Sequence, residues 1–142
     1  MPGMRCCLLL AGLGVGCAEE QPPACTTLDL DCGAGYLPTF HNVYTNTLAK
    51  SCGADDNNCH SAAGHQANLS FAGDEDSTYA AVMAQSSLDP SRPRVEAGNA
   101  ACSDLVVRIY GVGKDYQMPQ GAALDAPAQC AIAQWVQNGA TR

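Results

Sequence analysis

Apolar residues recur at helical spacing in four stretches and alternate at strand spacing in none. Phe40, Val43, Tyr44 and Leu48 share one helical face, and Thr39 stands ready as its N-cap; this helix ends just before Cys52. A second, shorter stretch runs from Ser77 to Ala84 with Tyr79, Val82 and Met83 as its apolar positions, and Pro90 and Pro93 bar any helical continuation beyond it. Asp74-Glu75-Asp76 ahead of it reads as a solvated helix start, favoured by the helix dipole. The third stretch, Ser103 to Tyr110, presents Leu105, Val106 and Ile109 and stops at Gly111. A strand through Val106–Tyr110 is the competing reading, although no partner strand is visible. The last helix has the fullest set of signals. Asp125 caps it, Pro127 lies in its first turn, Ala128, Ile132, Trp135 and Val136 share a face, and Gly139 ends it. The pattern predicts an all-α domain over residues 39–142, with no internal repeat.

Upstream of Thr39 the pattern changes. Residues 1–17 read as an export signal, with Arg5 as the positive region and Cys6 to Val15 as an apolar run too short to span a bilayer. Gly14-Val15-Gly16-Cys17 resembles a bacterial lipobox, in which the cysteine is lipidated and becomes the new N-terminus; Gly14 stands where leucine is usual. The expectation is a lipid anchor through Cys17 on the periplasmic side or at the cell surface, with free secretion after cleavage near Gly16 as the alternative. Residues 18–38 carry Pro22-Pro23 and several glycines without apolar periodicity, and read as a tether.

Composition narrows the function. The net charge of -7, with no basic cluster, excludes nucleic acid as a plausible partner, because phosphate binding needs Lys and Arg. Aromatic residues make up only 6 % of the 142, so a domain of this size gains from disulfides or a bound macrocycle. Of the nine cysteines, Cys6, Cys7 and Cys17 belong to the leader. The six that remain suit disulfides in an oxidising compartment. Proximity in sequence pairs Cys25 with Cys32 and leaves Cys102 with Cys130, a link that would pin the segment carrying Met118.

The candidate chemistry is Cys59-His60, joined far downstream by Met118-Pro119. A Cys-His dipeptide is half of the C-x-x-C-H signature that attaches haem covalently and supplies its proximal histidine. A later methionine suits the second axial position, because a thioether favours reduced iron. Here the partner cysteine is Cys52, and the run Cys52-Gly-Ala-Asp-Asp-Asn-Asn-Cys59-His60 reads C-x6-C-H. Six intervening residues require a bulged loop, which Asp55-Asp56-Asn57-Asn58 can form as a turn. Three outcomes stay open: covalent haem through Cys52 and Cys59, haem held by Cys59 alone or without a covalent bond, and a Cys52–Cys59 disulfide without haem. Zinc on Cys52, Cys59, His60 and His65 has the right ligand types, but the spacing matches no common finger. No supported Ser/His/Asp or Cys/His set marks a catalyst, and Gly111-Val112-Gly113-Lys114 lacks the rest of a phosphate loop.

The order of these pieces resembles class I cytochrome c, and more closely the planctomycete-type cytochrome c domains of exported bacterial proteins. The resemblance rests on Cys52…Cys59-His60, Asn68-Leu69-Ser70-Phe71, Arg94-Val95-Glu96-Ala97-Gly98, Ser103-Asp104-Leu105, Met118-Pro119 and Trp135-Val136-Gln137-Asn138-Gly139-Ala140. It covers about residues 39–141, and the C-x6-C-H spacing departs from it. It implies a fold whose first and last helices pack together, with haem c between the Cys-His loop and the methionine loop. It also implies His60 as proximal ligand with its other nitrogen on a backbone carbonyl, Met118 as distal ligand, and thioethers from Cys52 and Cys59. The implied function is single-electron carriage to a redox protein partner in the envelope. A haem-free, disulfide-stabilised structural or interaction module on the same fold is the alternative.

Overall fold

The structure, a computed structural model, describes residues 20–54 and 59–142. The stretches expected to be the export signal with Cys17 and the turn at Asp55–Asn58 lie outside the described residues.

Among the described residues four α-helices come in order: α1 Phe40–Val43, α2 Glu75–Met83, α3 Asp104–Tyr110 and α4 Ala126–Gln137. Thr39 caps α1, its hydroxyl accepting from the Asn42 N–H at 3.4 Å. Beyond Val43 the same helix widens into π geometry over Tyr44–Cys52, closed by the Gly53 N–H on the Leu48 carbonyl at 2.8 Å, a five-residue span. Asp74 caps α2 by accepting from the Ser77 N–H at 2.8 Å, so this helix starts two residues before the expected Ser77. Residues 106–110, the stretch open to a strand reading, are helical in α3. Asp125 caps α4 through the Ala128 N–H at 2.8 Å, and Gly139 leaves it at φ 103°, where a side chain would be strained. Short 3₁₀ turns lie at Gln66–Asn68 and Ala100–Cys102. Among the described residues there is no strand, only one isolated bridge between Gln85 and Pro93. Among them, too, no helix is long and apolar enough to cross a membrane.

The core forms where α1, α2 and α4 meet. Phe40 lies 5.3 Å from Trp135 and edge-on to Tyr79 at 4.9 Å, ring centre to ring centre. Val82, Val106, Ile109, Ile132 and Val136 complete the buried cluster. Trp135 satisfies its indole by donating from Nε1 to the Thr141 carbonyl at 2.8 Å. The Tyr79 hydroxyl donates to the Ala140 carbonyl at 3.0 Å, so the chain end is folded back onto α2 and α4.

The disulfides correct the pairing read from proximity. Cys25 bonds Cys102 across 77 residues, and Cys32 bonds Cys130 across 98. The reason is the path of residues 20–38, which run over the far side of the helices. The Thr26 N–H donates to the Ala101 carbonyl at 2.8 Å, which sets Cys25 beside Cys102. Gly35 donates to Pro127 at 3.0 Å, and the Gln134 amide donates to the Leu30 and Cys32 carbonyls at 2.9 and 3.4 Å, which sets Cys32 against α4. Arg92 adds two short bonds to the Pro22 and Pro23 carbonyls, at 2.6 and 2.7 Å. The same guanidinium pairs at 3.0 Å with Asp104, whose other oxygen takes Arg108 at 2.8 Å. Leu28, Leu30 and Tyr36 pack on the core. The stretch read as a tether is thus a strap fastened to the Ala100–Cys102 turn and to α4.

Candidate cofactor site

Cys52 is the last residue of the π-helical segment, and the loop that leaves it returns to it: the His60 N–H donates to the Cys52 carbonyl at 3.3 Å. The ends of the loop from Cys52 to His60 therefore meet, and the Cys-His dipeptide is returned to the first cysteine. Cys52 and Cys59 take part in neither disulfide. Burial pushes the Cys52 thiol up to about 12, and the neighbouring Cys59 adds to the rise, so Cys52 is a neutral thiol at physiological pH.

Backbone bonds hold His60 on three sides. Its carbonyl accepts from the Phe71 N–H at 2.8 Å, and Gln66 donates to the Cys59 carbonyl at 2.9 Å. Its Nδ1 lies 3.1 Å from the Leu69 carbonyl, and its ring leans on Phe71 at 5.2 Å between centres. A carbonyl can only accept, so Nδ1 carries the proton and Nε2 keeps its lone pair. Burial lowers the His60 pKa, against backbone hydrogen bonds that raise it, and the charges of Arg94 and Arg108 lower it further. Neutral imidazole, the form that binds metals, is the favoured state.

The segment that supplies Leu69 and Phe71 needs its own support. His65, Ala67 and Asn68 all turn left-handed, at φ 43°, 58° and 52°, which is costly for alanine. Arg94 and Ser87 hold that turn by donating to the Ala67 carbonyl at 3.1 and 2.8 Å, and Arg94 also reaches the Ala81 carbonyl near the end of α2. Arg94 is buried, and its sequence setting gave it no role beyond a place in the resemblance.

Gly53 fixes how closely this segment approaches the first helix. A Cβ on Gly53 would stand 2.7 Å from the Phe71 carbonyl carbon and oxygen, where backbone cannot easily yield. Gly53→Ala is expected to cost about 1–3 kcal/mol, as overpacking does, and to move the ring resonances of His60. Urea denaturation and NMR check this; wild-type stability with unchanged His60 signals would show that Phe71 does not pack where described.

Met118 lies beyond the C-terminal end of α3, half-buried, and its N–H donates to the Arg108 carbonyl at 3.1 Å. Arg108 thus bonds the methionine segment directly, while its charge is felt at His60. Cys52, Cys59 and His60 come together in one loop; Met118 lies on the separate segment that follows α3. His65 shows no shared metal site with them: among the described residues no three His, Cys, Asp or Glu side chains converge on a point that could hold a metal ion. His41 is exposed on α1 and pairs with Glu75 at 2.9 Å. Gln117 and Gln129 are buried beside the methionine segment, and nothing in their sequence setting separates them from surface glutamines. Comparison with protein-family models, with curated proteins and with solved structures finds no match.

Proposed function

We propose that this chain is an exported carrier of single electrons resembling the c-type cytochromes, with one haem held by His60 and Met118. The observation that carries the reading is the bond between His60 Nδ1 and the Leu69 carbonyl, which leaves Nε2 as a fixed, unprotonated donor. Proximal histidines of haem proteins need that tautomer and that restraint. The closed Cys52–His60 loop supports the reading a second way, since it brings its two ends together and leaves Cys52 outside both disulfides. Met118 would offer the thioether that favours the reduced metal. Haem, when bound, supplies a reversible one-electron iron couple; the chain supplies ligand identity, orientation and burial. The two disulfides suit an oxidising compartment. A lipid anchor through Cys17 and a redox protein partner in the envelope complete the proposal.

The test is the visible spectrum of protein purified from its native envelope, with pyridine haemochrome analysis and peptide mapping of residues 50–66. The expected result is a c-type band and a haem mass on the Cys52–Cys59 peptide that resists reductant. Colourless protein, from cells whose haem-attachment machinery is shown to be active, would overturn it. A reducible Cys52–Cys59 bond in that peptide would establish instead the second reading, a haem-free structural or interaction module. That reading has its own support in the two disulfides, which fasten residues 25–32 to the domain, and in the aromatic core, which packs α1, α2 and α4 together.

A further inference from the structure

We infer that Gln117 is a positioning residue that fixes Met118 for its role as a ligand, with Gln129 as an outer brace; the inference rests on the haem reading. Gln117 immediately precedes the methionine and is only 6 % exposed. Its amide is fully used. Oε1 accepts from the Gly113 N–H at 2.7 Å, and Nε2 donates to the Pro119 carbonyl at 2.7 Å and the Gly121 carbonyl at 3.2 Å. One side chain therefore joins the turn before Met118 to the turn after it.

Both turn tips are otherwise open. Gly113 and Gly121 sit at φ 77° and 95°, and nothing lies within 4 Å of where a Cβ would stand on either. The amide is what spans them. Gln129, 8 % exposed on α4, does the same job one layer out. Its Nε2 donates to the Ile109 and Leu124 carbonyls, both at 3.0 Å, and so joins the last turn of α3 to the end of the methionine segment. Two nested amides thus close the segment between α3 and α4 at two levels, with Met118 inside the inner one. A methionine side chain has three rotatable bonds and no directional anchor of its own, so its placement depends on the backbone that carries it.

The chemistry separates this role from general stability. Gln117→Glu keeps shape and the bond from Gly113 but replaces both donor hydrogens with an oxygen facing two carbonyls. Gln117→Ala removes all three bonds. Gln134→Ala is the control, because Gln134 also donates to two backbone carbonyls but ties the strap, not the methionine segment.

The experiment measures amide hydrogen exchange over residues 111–124 in the full chain, and the sulfur-to-iron charge-transfer band and reduction potential of the same proteins. Both Gln117 variants should speed exchange in that segment by roughly tenfold or more, weaken or abolish the band and lower the potential. Gln134→Ala should leave all three as in the wild type. Unchanged exchange in both variants overturns the clamp whatever the haem content. Faster exchange with band and potential intact shows a held loop that does not govern the ligand, and overturns the positioning role. A wild-type protein without haem overturns the underlying reading and the ligand role with it, and is told apart by the wild-type spectrum alone.

Discussion

Serine at both Cys32 and Cys130 is expected to lower stability by about 2–5 kcal/mol, the range for removing a native disulfide from a small secreted domain. The chain-entropy argument puts this link near the top of that range. It closes a loop spanning 98 residues, and the cost of closure grows with the logarithm of length. Cys25–Cys102 closes one spanning 77, so the two double replacements should cost nearly the same. Removing all four cysteines should leave a chain that does not fold at 37 °C, since a domain of this size has only about 5–15 kcal/mol to lose. The strap would be the first part released, because without the disulfides it is held by scattered hydrogen bonds and by the half-buried Leu28, Leu30 and Tyr36. Urea denaturation measures the loss, and peptide mapping under non-reducing conditions reads the pairs. Recovery of a Cys25–Cys32 peptide would contradict the strap and return residues 20–38 to a free tether.

What the sequence shows of this fold is what local chemistry encodes. Thr39, Asp74 and Asp125 cap helices because a short oxygen-bearing side chain can reach an N–H two or three residues on, and that rule needs no tertiary information. Gly139 ends α4 for a reason equally local. The π geometry of Tyr44–Cys52 escaped, because Phe40, Val43 and Leu48 satisfy an α spacing just as well and the widening changes hydrogen bonds, not residue types. The cysteine pairing escaped for a different reason. Proximity along the chain governs encounters in an unfolded chain, whereas here the backbone bonds of Thr26 and Gly35 bring distant sulfurs together.

The site divides in the same way. Cys59-His60 and Met118-Pro119 are legible because few chemistries use those residues in that order. That the His60 ring would bond a backbone carbonyl was expected; that the carbonyl is Leu69's depends on a left-handed turn at His65, Ala67 and Asn68 that no propensity favours. Gln117, Gln129 and Arg94 were invisible because their partners are carbonyls, which every residue has. A buried polar side chain bonded to backbone leaves no complementary residue elsewhere in the sequence to betray it.

Phe40→Ala is expected to cost about 3–5 kcal/mol, the range for removing a fully buried aromatic ring. Phe40 is 0 % exposed and is the ring through which α1 meets both α2 and α4. Losing it removes the edge-on contact with Tyr79 and the tilted contact with Trp135, each worth about 0.5–1.5 kcal/mol beyond area alone. Collapse around the gap is restricted, because the Trp135 indole is tied to Thr141 and the Tyr79 hydroxyl to Ala140. Phe40→Leu keeps much of the volume but also loses both ring contacts, so it should cost less than the alanine variant, about 1–3 kcal/mol. The consequence reaches the site. Phe40 seats the helix that runs into Cys52, so Phe40→Ala should also quicken amide exchange at Gly53 and His60, whose N–H groups bond Leu48 and Cys52. Urea denaturation and hydrogen exchange on the two variants separate the effects. A loss below about 1 kcal/mol for Phe40→Ala would mean that the first helix is not anchored through this ring, and would detach the Cys52–His60 loop from the aromatic core beneath it.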